Sequence, residues 1–311
     1  MMMLKRLCRA VMPDLLYAGI RRVYYACRFV CLSILIKTRT VFNLPQKKPL
    51  SKIRFTIYLA DHCNLNCAGC NNYSPIAEPA LLRPEDIEPD IKRMGELFNH
   101  ECLEIVISGG ETLLNPEAPK FMEILRENFP EGRIMFITNG ILLPNQNDKF
   151  WRACHDNNIT VWISHYPIHI DIQKIKDKAR QFDAKVAWAW SEDTIIVNDA
   201  ELQPFWKEPL DVKGTGDKNA NFANCYKGNW CIALHEGHLY SCSRAMCIRH
   251  FNKRFGFNIF YPEDMIDIYK ETDGKKILRK LAMPLEFCKH CDLKYQDVEW
   301  HVSKQDINEW I

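Results

Sequence analysis

The chain has no hydrophobic run long enough to cross a bilayer: its most apolar stretch, residues 23–36, is interrupted by Arg28 and falls short of the ~20 residues of a spanning helix. No continuous apolar segment followed by a small-residue cleavage site stands near the start, so a secretory signal is not expected. Internal repeats and low-complexity tracts are absent. No charge of one sign dominates, with 41 Lys and Arg against 39 Asp and Glu, and the chain as a whole carries no nucleic-acid-binding signature. That balance hides an asymmetry: residues 1–50 hold ten basic residues and one acid, Asp14, a net of +9, which leaves 31 against 38, or −7, for the rest. Hydrophobic residues make up 47% of the 311 positions, enough for one full-sized packed domain plus an appendage.

Cysteine is what the chain has in excess, with fourteen. Disulfide-dense scaffolds are short and secreted, whereas a long chain without a signal segment reads as cytoplasmic, reduced and metal-binding. Residues 1–50 read as one or two amphipathic helices broken or restarted at Pro13, followed by a linker over residues 43–51 with Pro45, Pro49 and two lysines. Its basic, apolar-faced helices suit two roles equally: contact with an anionic membrane surface through residues 1–45, on the inner face of the membrane, or docking on the rest of the chain or a second subunit.

From residue 52 to about 190, short strand-like runs alternate with helical ones, the sign of a parallel βα series. Strands are expected at 53–59, 102–108, 133–138, 159–164 and 185–190. Between them, apolar residues recur at helical spacing (Ile87, Ile91, Met94 and Phe98; Phe121, Ile124 and Leu125; Phe150, Trp151 and Cys154; Ile172, Ile175 and Ala179 behind a capping Asp171). This predicts an α/β fold, a partial (βα)6 TIM-type barrel over residues 52–221, with a sixth strand between Ser191 and Asp211. After Phe222 the composition turns to cysteine, glycine and aromatics, which marks a second, metal-dependent unit over 222–311. Cys8, Cys27, Cys31, Cys102 and Cys154 read as small buried hydrophobes.

Directly after the first strand stands Cys63-Asn64-Leu65-Asn66-Cys67-Ala68-Gly69-Cys70. Three thiolates on one loop suit a cubane with one iron left open, or a tetrahedral zinc if His62 supplies a fourth ligand. Later strands also end in unusual loops: Ser108-Gly109-Gly110-Glu111-Thr112, Thr138-Asn139-Gly140 and Ser164-His165-Tyr166. Chemistry in parallel barrels collects at the C-terminal strand ends, so these loops should ring one mouth. The glycines at 109 and 110 let backbone approach a ligand, and Glu111 offers a carboxylate to a cationic group.

In its motif order the chain resembles the radical S-adenosylmethionine (SAM) superfamily over roughly residues 52–300. The resemblance implies that Cys63, Cys67 and Cys70 bind a 4Fe–4S cluster whose open iron chelates SAM, and that Gly109, Gly110 and Glu111 form the Gly-Gly-Glu motif contacting its methionyl amino group. Asn139 and Ser164 match positions that touch the ribose or methionyl carboxylate. Two departures stand out: Gly69 replaces the usual aromatic near adenine, for which Tyr73 is a substitute, and Thr112 replaces the usual proline.

Beyond the barrel, Cys225, Cys231, Cys242, Cys247 and the Cys288-Lys289-His290-Cys291 knuckle, with a hairpin at Gly237, look like a twitch or SPASM extension holding an auxiliary 4Fe–4S cluster. Cys225, Cys242, Cys288 and Cys291 are the expected ligands, Cys231 can replace Cys225, and a zinc ribbon is the alternative. Cys247 is a candidate hydrogen-atom donor. The resemblance implies reductive cleavage of SAM to a 5′-deoxyadenosyl radical, hydrogen abstraction from an unactivated C–H, and an electron donor such as flavodoxin or ferredoxin. Dehydrogenation is favoured because an auxiliary cluster would accept the second electron of an oxidation, and a small-molecule, carbohydrate or glycoconjugate substrate because the cysteine array and the Gly-x-Leu-Tyr-x-Cys hairpin are similar to those of radical enzymes encoded among bacterial surface-polysaccharide genes. Epimerisation and peptide maturation are the alternatives within the family, a non-catalytic iron–sulfur or zinc scaffold the alternative outside it. His165, Tyr166, Trp188 and Trp190 are candidate pocket aromatics.

Overall fold

The computed structural model describes residues 30–31, 33–42, 44–189 and 205–311. Strands and helices alternate from residue 53: β1 (Ile53–Tyr58), α1 (Pro84–Leu97), β2 (Cys102–Ser108), α2 (Ala118–Asn128), β3 (Arg133–Thr138), α3 (Asp148–Asp156), β4 (Ile159–Ile163), α4 (Ile172–Phe182) and β5 (Lys185–Trp188). Then follow β6 (Trp206–Lys207), α5 (Lys218–Asn224), β7 (Ala233–His235), β8 (His238–Tyr240), α6 (Ser243–Phe255), β9 (Met265–Asp267), α7 (Gly274–Leu281) and β10 (Gln296–Asp297). Residues 30–31 and 33–41 are also helical.

Alternate residues of β1 explain the two layers. Ile53, Phe55 and Ile57 are fully buried against a core filled by Ile91 and Met94 of α1 and by Phe121, Met122 and Leu125 of α2, each side chain worth ~1.5–3 kcal/mol on burial. Arg54 and Thr56 are buried as well, since a central parallel strand is covered on both faces. Arg54 pairs with Glu104 at 2.8 Å, its register partner on β2. The helix caps follow the sequence: Asp171 accepts from Lys174 N at 3.0 Å and Asn147 from Phe150 N at 3.1 Å.

The main sheet runs β5-β4-β3-β2-β1-β7-β8-β9, with β1 to β5 parallel and β7 parallel to β1 through Thr56 and Ala233. A sixth barrel strand is expected between Ser191 and Asp211. Residues 191–204 lie outside the described residues, and 205–211 supply β6, which pairs antiparallel with β10 in a separate two-stranded sheet. Among the described residues the parallel neighbour of β1 on its other side is β7, where both faces of the Ile232-Ala233-Leu234 run are buried. The hairpin expected at Gly237 is present. A two-residue turn joins β7 to β8, with Glu236 and Gly237 both at positive φ, the geometry that matches strand twist.

Residues 222–311 are therefore not a separate layer. Ile232, Leu234, Leu239, Ile266 and Ile277 belong to the barrel core, while Ala233, Cys242, Phe251, Phe287 and Trp310 build a second core on the other face of the sheet. Nor are residues 46–48 a free linker: Gln46 is buried, Lys47 N donates to Ala282 O, and Asn229 Nδ2 donates to Lys48 O at 2.9 Å. Cys102 and Cys154 are buried as expected, whereas Cys31 is exposed; Cys8 and Cys27 lie outside the described residues.

Candidate active site

The cysteine loop leaves β1 and is clamped by the loop after β2. Gly110 N donates to Ala60 O at 2.7 Å and Glu111 N to His62 O at 3.1 Å, while Asn72 Nδ2 donates to Gly109 O at 2.8 Å. A Cβ at Gly110 would lie 2.1 Å from His62 O, and one at Gly109 2.6 Å from Ala60 O. The glycines thus serve a backbone-to-backbone approach that holds the cysteines, in addition to the open face of Gly110 toward the cavity. Cys63, Cys67 and Cys70 line one cavity of about 90 Å³ together with Gly110, Asn139 and Ser164. Ser108, Thr138 and Tyr166 complete the side formed by the strand ends. The neighbouring thiols and Glu111, secondary to burial, hold the Tyr166 phenol well above its usual range.

Burial pushes the Cys63 thiol up to about 11 and Cys67 up to about 12, so the thiolates form only when a metal replaces the protons. Three thiols on one loop are the donor set of a cubane that leaves one iron open. Three buried polar atoms at this loop have no hydrogen-bond partner: Ser74 Oγ, His62 Nδ1 and Asn71 Oδ1. Ser74 lines the cavity. Such orphans call for a bound group. His62 is not among the residues that line this cavity.

The other candidates divide. Asn139 Nδ2 reaches Asn64 Oδ1 at 2.8 Å and Cys63 Sγ at 3.7 Å. Glu111 is turned away from the cavity: its carboxylate accepts from Thr138 Oγ1 at 2.6 Å, Asn139 N at 2.8 Å and Leu113 N at 3.0 Å, and burial raises its pKa. Here it fixes the end of β3 rather than facing a ligand. Tyr73, the expected adenine partner, is fully buried between Phe251 and Trp310, so that role is withdrawn. His165 stacks on Trp188 with centroids 4.3 Å apart, and Trp190 lies outside the described residues.

Sequence reasoning missed the segment that closes the loop from behind. Trp300 Nε1 donates to Cys67 Sγ at 3.1 Å, Cys67 bridges to Val302, and Trp310 Nε1 donates to Cys70 O at 2.9 Å. Gly69, at φ +66°, has Glu309 O 3.0 Å from a built Cβ, which leaves no room for the aromatic usual at that position. Two more tryptophans in a chain of eight give no local signal of this role.

Residues 57–186 match the family model described as the Radical SAM superfamily. This stretch is a radical SAM domain. Members of the superfamily are enzymes that bind a 4Fe–4S cluster and SAM. The chain is 26% identical over 154 residues to the FeMo cofactor biosynthesis protein NifB of Methanocaldococcus jannaschii, covering 46% of this chain and 50% of that one. To the subtilosin biosynthesis protein AlbA of Bacillus subtilis it is 29% identical over 109 residues, 35% of this chain and 23% of that one. The chain thus spans half or less of the length of these curated relatives. Among solved structures, BtrN in complex with AdoMet and 2-DOIA aligns over 81% of this chain and 97% of its own at 16% identity and a TM-score of 0.49. The anSMEcpe enzyme with bound AdoMet and Kp18Cys peptide aligns over 76% and 88% at 17% identity and a TM-score of 0.42.

Outside the radical SAM domain, Cys225, Cys242, Cys288 and Cys291 lie within electrostatic reach of one another, and among the described residues no three of them are close enough to hold one ion. Cys242 stands two residues after β8, at the N-cap position of α6, and Cys291 N closes a turn on Cys288 O. Asn221 Nδ2 of α5 ties that knuckle by donating to both Cys288 O and Cys291 O at 2.8 Å. Burial, then the neighbouring thiols of the set, push Cys242 and Cys288 far above the usual thiol range and Cys291 up to about 11. Cys231 lies beside this set; its thiol is raised by burial and eased by Lys227 and Arg54, with Cys225 its nearest influence among the four. Cys247 is sealed in the second core on α6 at 2% exposure, with its thiol pushed up to about 12 by burial. It is absent from the cavity wall.

Proposed function

We propose that the protein is a radical SAM oxidoreductase that removes a hydrogen atom from an unactivated C–H of a carbohydrate or glycoconjugate, in a net dehydrogenation. The observation that carries the reading is the convergence of Cys63, Cys67 and Cys70 with the ends of β2, β3 and β4 on one cavity. In this reading Cys63, Cys67 and Cys70 would hold the catalytic cluster, Gly110, Asn139 and Ser164 would bind SAM, and Cys225, Cys242, Cys288 and Cys291 would hold an auxiliary cluster. When bound, these groups supply the one-electron chemistry: a carbon radical at the cavity and an acceptor for the second electron of the oxidation. The chain's own work is positional. Glu111 sets the end of β3, Asn139 steadies the cysteine loop through Asn64, and Trp300 to Ser303 cover the loop from solvent.

The burial of Cys247 away from the cavity wall supports dehydrogenation over an epimerisation in which that thiol returns the hydrogen. A flavodoxin or ferredoxin is the class of reductant proposed. The test is anaerobic incubation of reconstituted, reduced protein with SAM, alone and with nucleotide-linked sugars. Release of 5′-deoxyadenosine, stimulated by a sugar that loses two hydrogens, is expected. A fully iron-loaded protein that releases none refutes the reading.

A further inference from the structure

Arg244 stands on the first turn of α6, two residues after Cys242, and is only 3% exposed. Its donors reach neutral acceptors: Tyr73 Oη at 3.0 Å, Glu208 O at 2.8 Å and Pro209 O at 3.5 Å. Among the described residues it has no carboxylate within ion-pair distance. The carboxylate that acts on it, Glu208, is already engaged by Lys227 at 2.7 Å, Tyr226 Oη at 2.9 Å and Trp206 Nε1 at 3.1 Å. A buried guanidinium without a negative partner is costly. Cys291 lies beside it: the Pro209 carbonyl that Arg244 approaches also accepts from Asp292 N at 3.3 Å, and Leu210 forms a β-bridge with Cys291, one of the four distal cysteines.

Two other cations face the same thiols. Lys47 Nζ donates to the Cys225 carbonyl and acts on Cys225 and Cys288, while Lys227 acts on Cys242 and Cys291. Three cations less one carboxylate leave an excess of +2 around four neutral thiols. Four thiolates carrying a cubane add about −2, which closes the balance. Arg244 is also the least mobile of the three, because its Tyr73 anchor is wedged between Phe251 and Trp310 at 5.6 and 6.0 Å.

We infer that Arg244 is the fixed counter-charge of the distal thiolate centre and sets how readily that centre accepts an electron. This rests on the auxiliary-cluster reading above. A positive charge held beside a cluster favours its more negative, reduced form, so neutralising the side chain should make reduction harder.

The test uses the full chain with Cys63, Cys67 and Cys70 replaced by Ala, so that only the distal centre absorbs, and titrates its reduction potential. Arg244→Gln should weaken reduction about tenfold, a fall of about 59 mV for one electron, with Arg244→Lys restoring most of it. Tyr73→Phe, which keeps the charge and its contacts to the Glu208 and Pro209 carbonyls, should move the potential far less. The inference is overturned if Arg244→Gln keeps its iron at the parent potential, or if Tyr73→Phe shifts it as far. Should Arg244→Gln not fold, Glu208→Gln removes the opposing charge and should raise the potential; no change overturns the inference. If the distal centre holds zinc and no iron, the auxiliary-cluster reading itself fails. Counter-charge is then read as zinc loss to a chelator, faster in Arg244→Gln if the guanidinium balances the thiolates and equal to the parent if it does not.

Discussion

The two cysteine sets are built on opposite principles. Cys63, Cys67 and Cys70 come from one loop held by main-chain contacts, with neutral Ser, Thr and Asn side chains on the far wall of their cavity. The distal four come from three separated segments, the end of α5, the β8–α6 junction and the 286–291 turn, and are ringed by Lys47, Lys227 and Arg244. Three cysteines beside a lined cavity would leave room for a further ligand. Four distal cysteines, two buried and two partly exposed, would leave less. The same contrast separates open catalytic from closed structural metal sites in general.

The sharpest way to break this contrast is to remove a ligand from each side. Replacing Cys63, Cys67 or Cys70 by Ala should abolish 5′-deoxyadenosine formation, and replacing all three should lower bound iron from about eight to about four per chain while a ~400 nm absorbance persists. Loss of both clusters together would show that the sets depend on each other.

Gly110→Ala comes next. Its methyl would lie on His62 O, so the proximal loop should be lost with its iron at a cost of about 3 kcal/mol in stability, read by thermal unfolding, with distal iron kept. A smaller effect is expected for Trp300→Phe, which deletes the donor to Cys67 Sγ. A lost hydrogen bond of about 1 kcal/mol should make chelation of proximal iron several-fold faster and leave the distal rate unchanged.

The smallest effect belongs to the N-terminus. Deleting residues 1–43 should leave cleavage of SAM intact and abolish salt-sensitive binding to anionic vesicles, which Val41 and Phe42, exposed at 78% and 68%, and the basic excess of residues 1–50 support. Extending the deletion through Lys48 removes Lys47 from Cys225 and should loosen the distal centre only. Aggregation of the shorter deletion would place residues 1–43 in the packing rather than at a membrane surface.

The barrel strands were legible because each is a short apolar run bounded by turn residues; β2 and β3 begin and end where periodicity places them, and β1 ends one residue early at Tyr58. The cysteine loop and Gly109-Gly110 were legible because spacing and strand order are local. What failed was remote. β7 has three residues, too few for a period, and its partner β1 lies about 180 positions away. Trp300 and Trp310 meet Cys67 and Cys70 across 233 and 240 positions, and tryptophans in a C-terminal tail give no hint of a sulfur contact. Tyr73 was misjudged because proximity in sequence to Cys70 says nothing about which core takes the ring.

The clasp of Trp300 and Trp310 on the cysteine loop sets an order of events during synthesis. At about 5–20 residues per second, the 240 positions between Cys70 and Trp310 separate their emergence from the ribosome by roughly 10 to 50 s. Through that interval the three thiols stand on a nascent loop without its cover, open to an iron–sulfur donor and equally to oxygen. Maturation of the proximal centre is easiest before the clasp shuts, and a fusion or crowding group that delays residues 300–310 would prolong both the opportunity and the exposure.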